Sequence, residues 1–192
     1  MQPDLLLPAA PSAADHTHTA PTRKASTMSR GAQRISVDLA DTARRLSRQR
    51  TIWQGLVDFD PITRYYARLL ADEHHEAWLL TWLPGQGTPW HDHGGSAGSF
   101  VVLQGVLTEE VAGYRTTVDL DGARRVTGPG VLLTPGDQRT FGTRHLHRVT
   151  NAGSDPAVSL HVYAPRLTAM TNYRAVAGVL EAEEHAEVGV DW

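Results

Sequence analysis

Two histidines separated by one residue, His91 and His93, have the clearest chemical potential in this chain. They follow a glycine-rich turn that begins at Gly85, and the apolar run after them ends at Gly105. Alternate residues of a β-strand point to the same face, so both imidazoles should enter one cavity. A lone His-x-His is a weak motif, but the flanking glycines and a third histidine downstream, His147, favour a metal site. Imidazole suits Zn, Cu, Fe and Ni, so ligand type alone leaves the metal open.

A second group with chemical potential is Ser159, His161 and Tyr163, which alternate with Leu160 and Val162. This period is typical of a half-buried strand, whose polar set could be no more than an exposed face. Beside a metal motif we interpret it differently. A tyrosine hydroxyl oriented by a histidine, itself oriented by a serine, is a proton relay.

The two histidine segments resemble the paired motifs of the cupin superfamily, whose small β-barrels hold a metal with histidines from two separate segments. The second motif fits as His147-x-x-x-Asn151, and we prefer His147 to His145 as the ligand because only His147 has this asparagine. Two departures are visible. The stretch after His93 has no carboxylate where many cupins carry a glutamate ligand, and the gap from Gly136 to His147 is longer than usual. Three neutral imidazoles would leave a divalent ion its full charge and draw an anionic ligand such as a thiolate.

Over roughly residues 60–175 the chain resembles the cysteine dioxygenase type I family, in particular its bacterial thiol dioxygenases. The resemblance implies one Fe(II) per chain, a Ser–His–Tyr relay, a tryptophan packed near the site, and a Tyr-x-Arg pair whose arginine holds the substrate carboxylate. The matching residues are His91, His93 and His147 for iron, Ser159, His161 and Tyr163 for the relay, and Trp82, Tyr66 and Arg68 for the substrate. It also implies a cis bond between Ala164 and Pro165.

The family oxidises the sulfur of iron-bound cysteine to the sulfinate, so the implied partners are a small-molecule thiol and O2. Two alternatives stay open. The first alternative is that the substrate is another carboxylated thiol, such as 3-mercaptopropionate. Related enzymes that prefer this thiol, however, tend to have glutamine in place of Arg68. The other is a non-catalytic metal-binding cupin. Mammalian relatives link a cysteine to the catalytic tyrosine, but the matching residue here is Gly98 and the chain has no cysteine, so we expect no thioether.

Composition and element pattern predict one mainly β domain. A chain of 192 residues with 41% hydrophobic content can bury a proper core. Residues 36–57 have helical apolar spacing, and from Tyr65 to about Tyr163 short β-rich runs alternate with turns. We therefore expect a cupin-type β-barrel (jelly roll) with N-terminal helices over residues 34–192. Residues 1–33, rich in Ala, Pro, Ser and Thr, are expected to be a disordered tail.

Charge and hydropathy exclude several partner classes. The net charge of −3 gives no electrostatic case for nucleic acid or an anionic membrane. No apolar run approaches the roughly 20 residues of a membrane helix. The leucines near Met1 lack a basic region before them and are soon followed by Pro8, which argues against a signal peptide. We expect a cytoplasmic monomer; whether translation starts at Met1 or Met28 stays open.

Overall fold

The computed structural model describes residues 38–113 and 123–187, with the backbone alone at 184–187. Two short helices and a 3₁₀ turn precede the strands in this part of the chain. The predicted tail lies outside the described residues.

The helical segment is amphipathic, as predicted, but it is not one continuous helix. Helix α1 spans Leu39–Arg48, α2 spans Arg50–Trp53, and the 3₁₀ turn spans Gln54–Leu56. Asp38 caps α1, because its carboxylate accepts a hydrogen bond from the Asp41 backbone N–H. At Gln49 the backbone leaves the helical region (φ −85°, ψ 69°), which ends α1.

The described residues form twelve strands in two antiparallel sheets. Their bounds are β1 Tyr66–Ala71, β2 Glu76–Trp82, β3 Trp90–Asp92, β4 Ala97–Gln104, β5 Leu107–Gly113, β6 Arg124–Val126, β7 Val131–Leu133, β8 Gln138–Phe141, β9 Leu146–Thr150, β10 Ala157–Ala164, β11 Ala169–Val176 and β12 Val179–Glu187. One sheet has the order β1-β2-β10-β4-β8, and the other has the order β6-β12-β11-β3-β9-β5-β7. Strand β6 also pairs with β5, so six strands of the second sheet close into a barrel. The predicted mainly β, cupin-type barrel is confirmed.

The five-stranded sheet is buried on both faces, and this decides where the polar side chains of β10 lie. Its outer face packs under α1 and α2 through residues such as Leu79 and Leu160. Its inner face packs through residues such as Trp82 and Phe100. Strand β10 is therefore buried on both faces rather than on one, because the helices cover its apolar side and its polar side faces the core between the two sheets.

The strands continue beyond Tyr163, which the sequence pattern did not predict. Strands β11 and β12 form a hairpin, and β11 pairs with β3 beside His91. The peptide bond between Ala164 and Pro165 is cis, as the resemblance implied. No helix among residues 38–113 and 123–187 is both long and apolar enough to span a bilayer.

Candidate active site

Three histidines meet between the two sheets, where they contact aromatic rings of the five-stranded sheet. His91 lies in β3 directly opposite His147 in β9, and His93 follows one residue after β3 ends. One ring nitrogen from each lies within 4.8 Å of the others, and each side chain is buried. Among the described residues, no carboxylate joins this set of three. The pairing of β3 with β9 therefore brings the two predicted motifs together.

In two of these imidazole rings, one nitrogen forms a hydrogen bond to the protein, and the other nitrogen is free to bind a metal. His91 Nδ1 lies 3.0 Å from the Pro89 carbonyl oxygen. His147 Nδ1 lies 2.7 Å from Glu109 Oε1. In both cases Nδ1–H is the donor, because a carbonyl or carboxylate oxygen can only accept. Nε2 of each ring then keeps its lone pair for a metal, which is the usual arrangement of metal-binding histidines.

His93 tests whether the site fits a metal. Its side chain is 1% exposed, and neither ring nitrogen has a hydrogen-bond partner in the part of the chain that the structure describes. A buried polar atom without a partner is unfavourable unless a ligand satisfies it. Burial lowers the pKa of His93 well below its usual value, and His91 lowers it further. Burial also lowers the pKa of His91 and of His147. All three imidazoles are thus neutral at physiological pH, and each can give a nitrogen lone pair to a metal. The residues present therefore fit a divalent metal ion.

Glu109 is a functional candidate that the sequence analysis missed. Its buried carboxylate accepts from His147 at 2.7 Å and from His145 Nε2 at 3.2 Å, and lies 3.2 Å from Arg139 Nε. Burial would raise the pKa of Glu109, but the hydrogen bonds from His145 and His147 outweigh it and lower the pKa to about 2. His145 therefore lies beside Glu109 and packs against His147, with ring centroids 4.6 Å apart, so Glu109, His145 and His147 form a second group of possible metal ligands. The available signal was a glutamate in phase with the buried Leu107 of β5.

Ser159, His161 and Tyr163 form one continuous hydrogen-bonded row on the inner face of β10. Ser159 Oγ lies 2.8 Å from His161 Nε2, and His161 Nδ1 lies 3.2 Å from the Tyr163 hydroxyl. Trp82 extends the row, since its indole N–H donates to Ser159 Oγ at 2.9 Å. The Tyr163 ring centroid is 5.2 Å from that of His93. The relay thus ends beside the three histidines.

Burial fixes the protonation states of the relay. It lowers the pKa of His161 to about 3, so this imidazole is neutral near pH 7. It raises the pKa of Tyr163, so the phenol keeps its proton. A neutral imidazole has one nitrogen that donates and one that accepts, so His161 can either donate to the Tyr163 oxygen or accept from its hydroxyl. Tyr163 can therefore serve as a hydrogen-bond donor or as an acceptor toward a ligand.

Two arginines lie in or just before β1, and the structure places them differently. Arg68, the predicted carboxylate binder, is exposed, with its guanidinium carbon 5.6 Å from the Trp78 ring centroid. Tyr66 packs edge-on against the same Trp78. Arg64, which the sequence analysis did not select, is partly buried, with its guanidinium carbon 5.0 Å from the Trp82 ring centroid.

The electrostatic environment and the neighbouring segment of Arg64 favour it as a candidate site residue. Burial lowers its pKa, while Tyr163 and Tyr66 oppose this effect, so its charge acts on the relay tyrosine. Among the described residues no carboxylate forms an ion pair with it. Gln86 holds the segment before Arg64, because its amide donates to the Asp60 and Thr63 carbonyls at 2.8 and 3.0 Å.

Comparison with known proteins identifies the family. The model of the family described as cysteine dioxygenase type I matches residues 14–175. Cysteine dioxygenase type 1 of Danio rerio is 32% identical over 117 residues, which are 59% of this chain and 57% of that protein. The match therefore spans little more than half of that relative's length.

Two crystal structures with similar folds were also found. The protein TT1209 from Thermus thermophilus is 26% identical with a TM-score of 0.48, over 59% of this chain and 93% of that one. An uncharacterized conserved protein with a double-stranded β-helix domain from Klebsiella pneumoniae is 18% identical with a TM-score of 0.46, over 58% and 85%. Because the family model covers most of the sequence, the chain belongs to the cysteine dioxygenase type I family.

Proposed function

We propose that this protein is an iron-dependent thiol dioxygenase that oxidises L-cysteine with O2 to cysteine sulfinate. The observation that carries the proposal is the meeting of three buried, neutral histidines with the Tyr163 end of the relay. In the overall reaction the thiol R–SH and O2 give R–SO2H. Both oxygen atoms enter the product and no further reductant is needed.

His91, His93 and His147 would hold the metal. Fe(II) bound there would supply open coordination positions for a thiolate and for O2. Since all three ligands would be neutral and no carboxylate belongs to the three-histidine group, an anionic sulfur ligand is favoured. We expect no thioether at Tyr163, because the chain contains no cysteine.

Tyr163 would act as the hydrogen-bonding group at the reacting sulfur and oxygen atoms. With His161 Nε2 accepting from Ser159, Nδ1–H donates to the phenol oxygen and leaves the Tyr163 O–H free to donate to the ligand. The relay orients Tyr163 without charging it, because burial keeps His161 neutral.

Arg64 is the residue that we propose to bind the substrate carboxylate. A guanidinium pairs with a carboxylate through two parallel hydrogen bonds. This pairing is most favourable where water is already partly excluded from the guanidinium. Arg64 meets that condition beside Trp82. Arg68, selected by motif matching, remains a candidate for the same role with Tyr66.

The test is anaerobic loading with Fe(II), followed by oxygen uptake and product mass with L-cysteine, 3-mercaptopropionate and cysteamine. We expect one O2 consumed per cysteine, with both atoms in the product. Arg64→Ala should lower kcat/KM for cysteine by about 2–4 kcal/mol in transition-state binding and leave bound iron unchanged. Arg68→Ala is the matched control, because it removes a nearby guanidinium that is exposed.

Each other result decides against part of the proposal. Equal or faster turnover of 3-mercaptopropionate would reassign the substrate. A larger loss of kcat/KM for cysteine in Arg68→Ala than in Arg64→Ala would assign carboxylate binding to Arg68. An iron-loaded protein that oxidises none of the thiols would be a non-catalytic metal-binding cupin.

A further inference from the structure

Gly98 lies between two aromatic residues in the sheet. It is the direct register partner of Tyr163 on β10 and of Phe141 on β8. A Cβ atom at position 98 would lie 2.5 Å from Cε2 and Cζ of Phe141 and 3.0 Å from Cδ1 of Tyr163. Real Cβ atoms essentially never approach another atom as closely as 2.5 Å, and 3.0 Å is tighter than nine in ten real Cβ contacts. The two rings therefore close over Gly98, and glycine is needed there for space.

Phe141 also contacts the metal-binding cluster. Its ring stacks on His93 with centroids 4.9 Å apart and planes 20° apart. The His145 ring also stacks on Phe141, with centroids 4.6 Å apart and planes 16° apart. Phe141 thus contacts His93, a predicted metal ligand, and packs together with Tyr163 over Gly98. An aromatic ring that covers a glycine on a neighbouring strand helps to fix strand register.

We propose that Phe141 is a positioning residue that holds the rings of Tyr163 and His93 in place by packing over Gly98. The part of the inference that concerns turnover rests on the proposed function; the part that concerns packing does not.

The packing is tested by a double-mutant cycle on the metal-free protein, read as the thermal unfolding temperature. Gly98→Ala should lower Tm by about 5 °C or more in the wild-type background and by much less in Phe141→Ala, where the new methyl group has room. The matched control is Gly142→Ala. A Cβ at Gly142 meets nothing within 4 Å, so Tm should stay unchanged. Equal losses in both backgrounds, or no loss from Gly98→Ala, would overturn the inference.

The positioning role is tested on metal-loaded Phe141→Leu. We expect a full complement of metal, a shift of the Co(II) absorption bands relative to wild type, and kcat for the thiol about tenfold lower with KM within about twofold. Oxygen uptake should exceed the sulfinate formed, because a loosened Tyr163 no longer directs the reaction. An unchanged Co(II) spectrum together with full coupling would overturn the role.

The two arms separate this inference from the proposed function. If the wild type oxidises no thiol, the proposed function fails, and the Tm cycle and the Co(II) spectrum still decide whether Phe141 positions the rings. If the wild type oxidises cysteine but the cycle is additive and Phe141→Leu is fully coupled, the inference fails alone.

Discussion

Replacing Glu109 with glutamine tests how the protein tunes its proposed metal ligands. The Glu109 carboxylate is 3% exposed and accepts from both His147 and His145, with Arg139 beside it. Glutamine keeps the size and one acceptor oxygen but loses the charge, and its NH2 group faces donors that need an acceptor. His147 becomes a weaker ligand, because a carboxylate on Nδ1–H raises the basicity of Nε2.

The expected loss follows from that contact. Outer carboxylate partners of metal-binding histidines contribute about 10- to 100-fold to metal affinity. Glu109→Gln should therefore weaken Fe(II) or Co(II) binding by about 1.4–2.8 kcal/mol. The assay is an anaerobic competition titration against a chelator of known affinity, with circular dichroism of the metal-free variant to check folding.

The adjacent residue supplies the control. Glu110 lies on the same strand, but its carboxylate pairs with Arg148 and contacts none of the three histidines. Glu110→Gln should bind metal as the wild type does. An affinity for Glu109→Gln within about twofold of wild type, in a folded variant, would refute the reasoning.

Three further outcomes are expected. His147→Ala should lose most of its iron by metal analysis, whereas His145→Ala should retain most of it; the reverse result would contradict the ligand assignment. Tyr163→Phe should keep iron and cysteine binding, measured calorimetrically without oxygen, but lower kcat or uncouple it from oxygen uptake; wild-type turnover would exclude the relay role. Because the folded pKa of His161 is about 3 and its unfolded value is near 6.5, the unfolded chain binds more protons between these pH values. Stability of the metal-free protein should therefore fall as pH falls through this window. His161→Gln should reduce that slope by up to about 1.4 kcal/mol per pH unit in urea unfolding; an unchanged slope would count against a buried, neutral His161.

The parts of the site that follow from a local period could be predicted from the sequence. His91 and His93, or Ser159 and Tyr163, share a face because alternate residues of a strand always do. Resemblance to a family then related the separate segments. Its choice of Arg68 rested on a local Tyr-x-Arg motif, which says nothing about which arginine lies over Trp82.

The remaining parts depend on which strands are neighbours. Glu109 reaches His147 because β5 pairs with β9, and Phe141 closes over Gly98 because β8 pairs with β4. The sequence around either residue contains no mark of that pairing. The hairpin of β11 and β12 was missed for the same reason, because its strands are stabilised by β3 and β6, far away in sequence.

In the described part of the chain, several polar side chains around the site have hydrogen-bond partners, whereas His93 and Arg64 indicate what a ligand must supply. Ser159 and Tyr163 have partners along the relay, and Glu109 accepts from two histidines. Within the described ranges, the His93 nitrogens have no hydrogen-bond partner and Arg64 has no carboxylate partner. His93 is a neutral imidazole whose nitrogen lone pair suits a metal, and Arg64 is a partly desolvated cation. A ligand that satisfies both needs a metal-binding end and an anionic end. A small thiol that carries a carboxylate has both, which is why the proposed substrate class follows from the groups that the protein leaves unpaired.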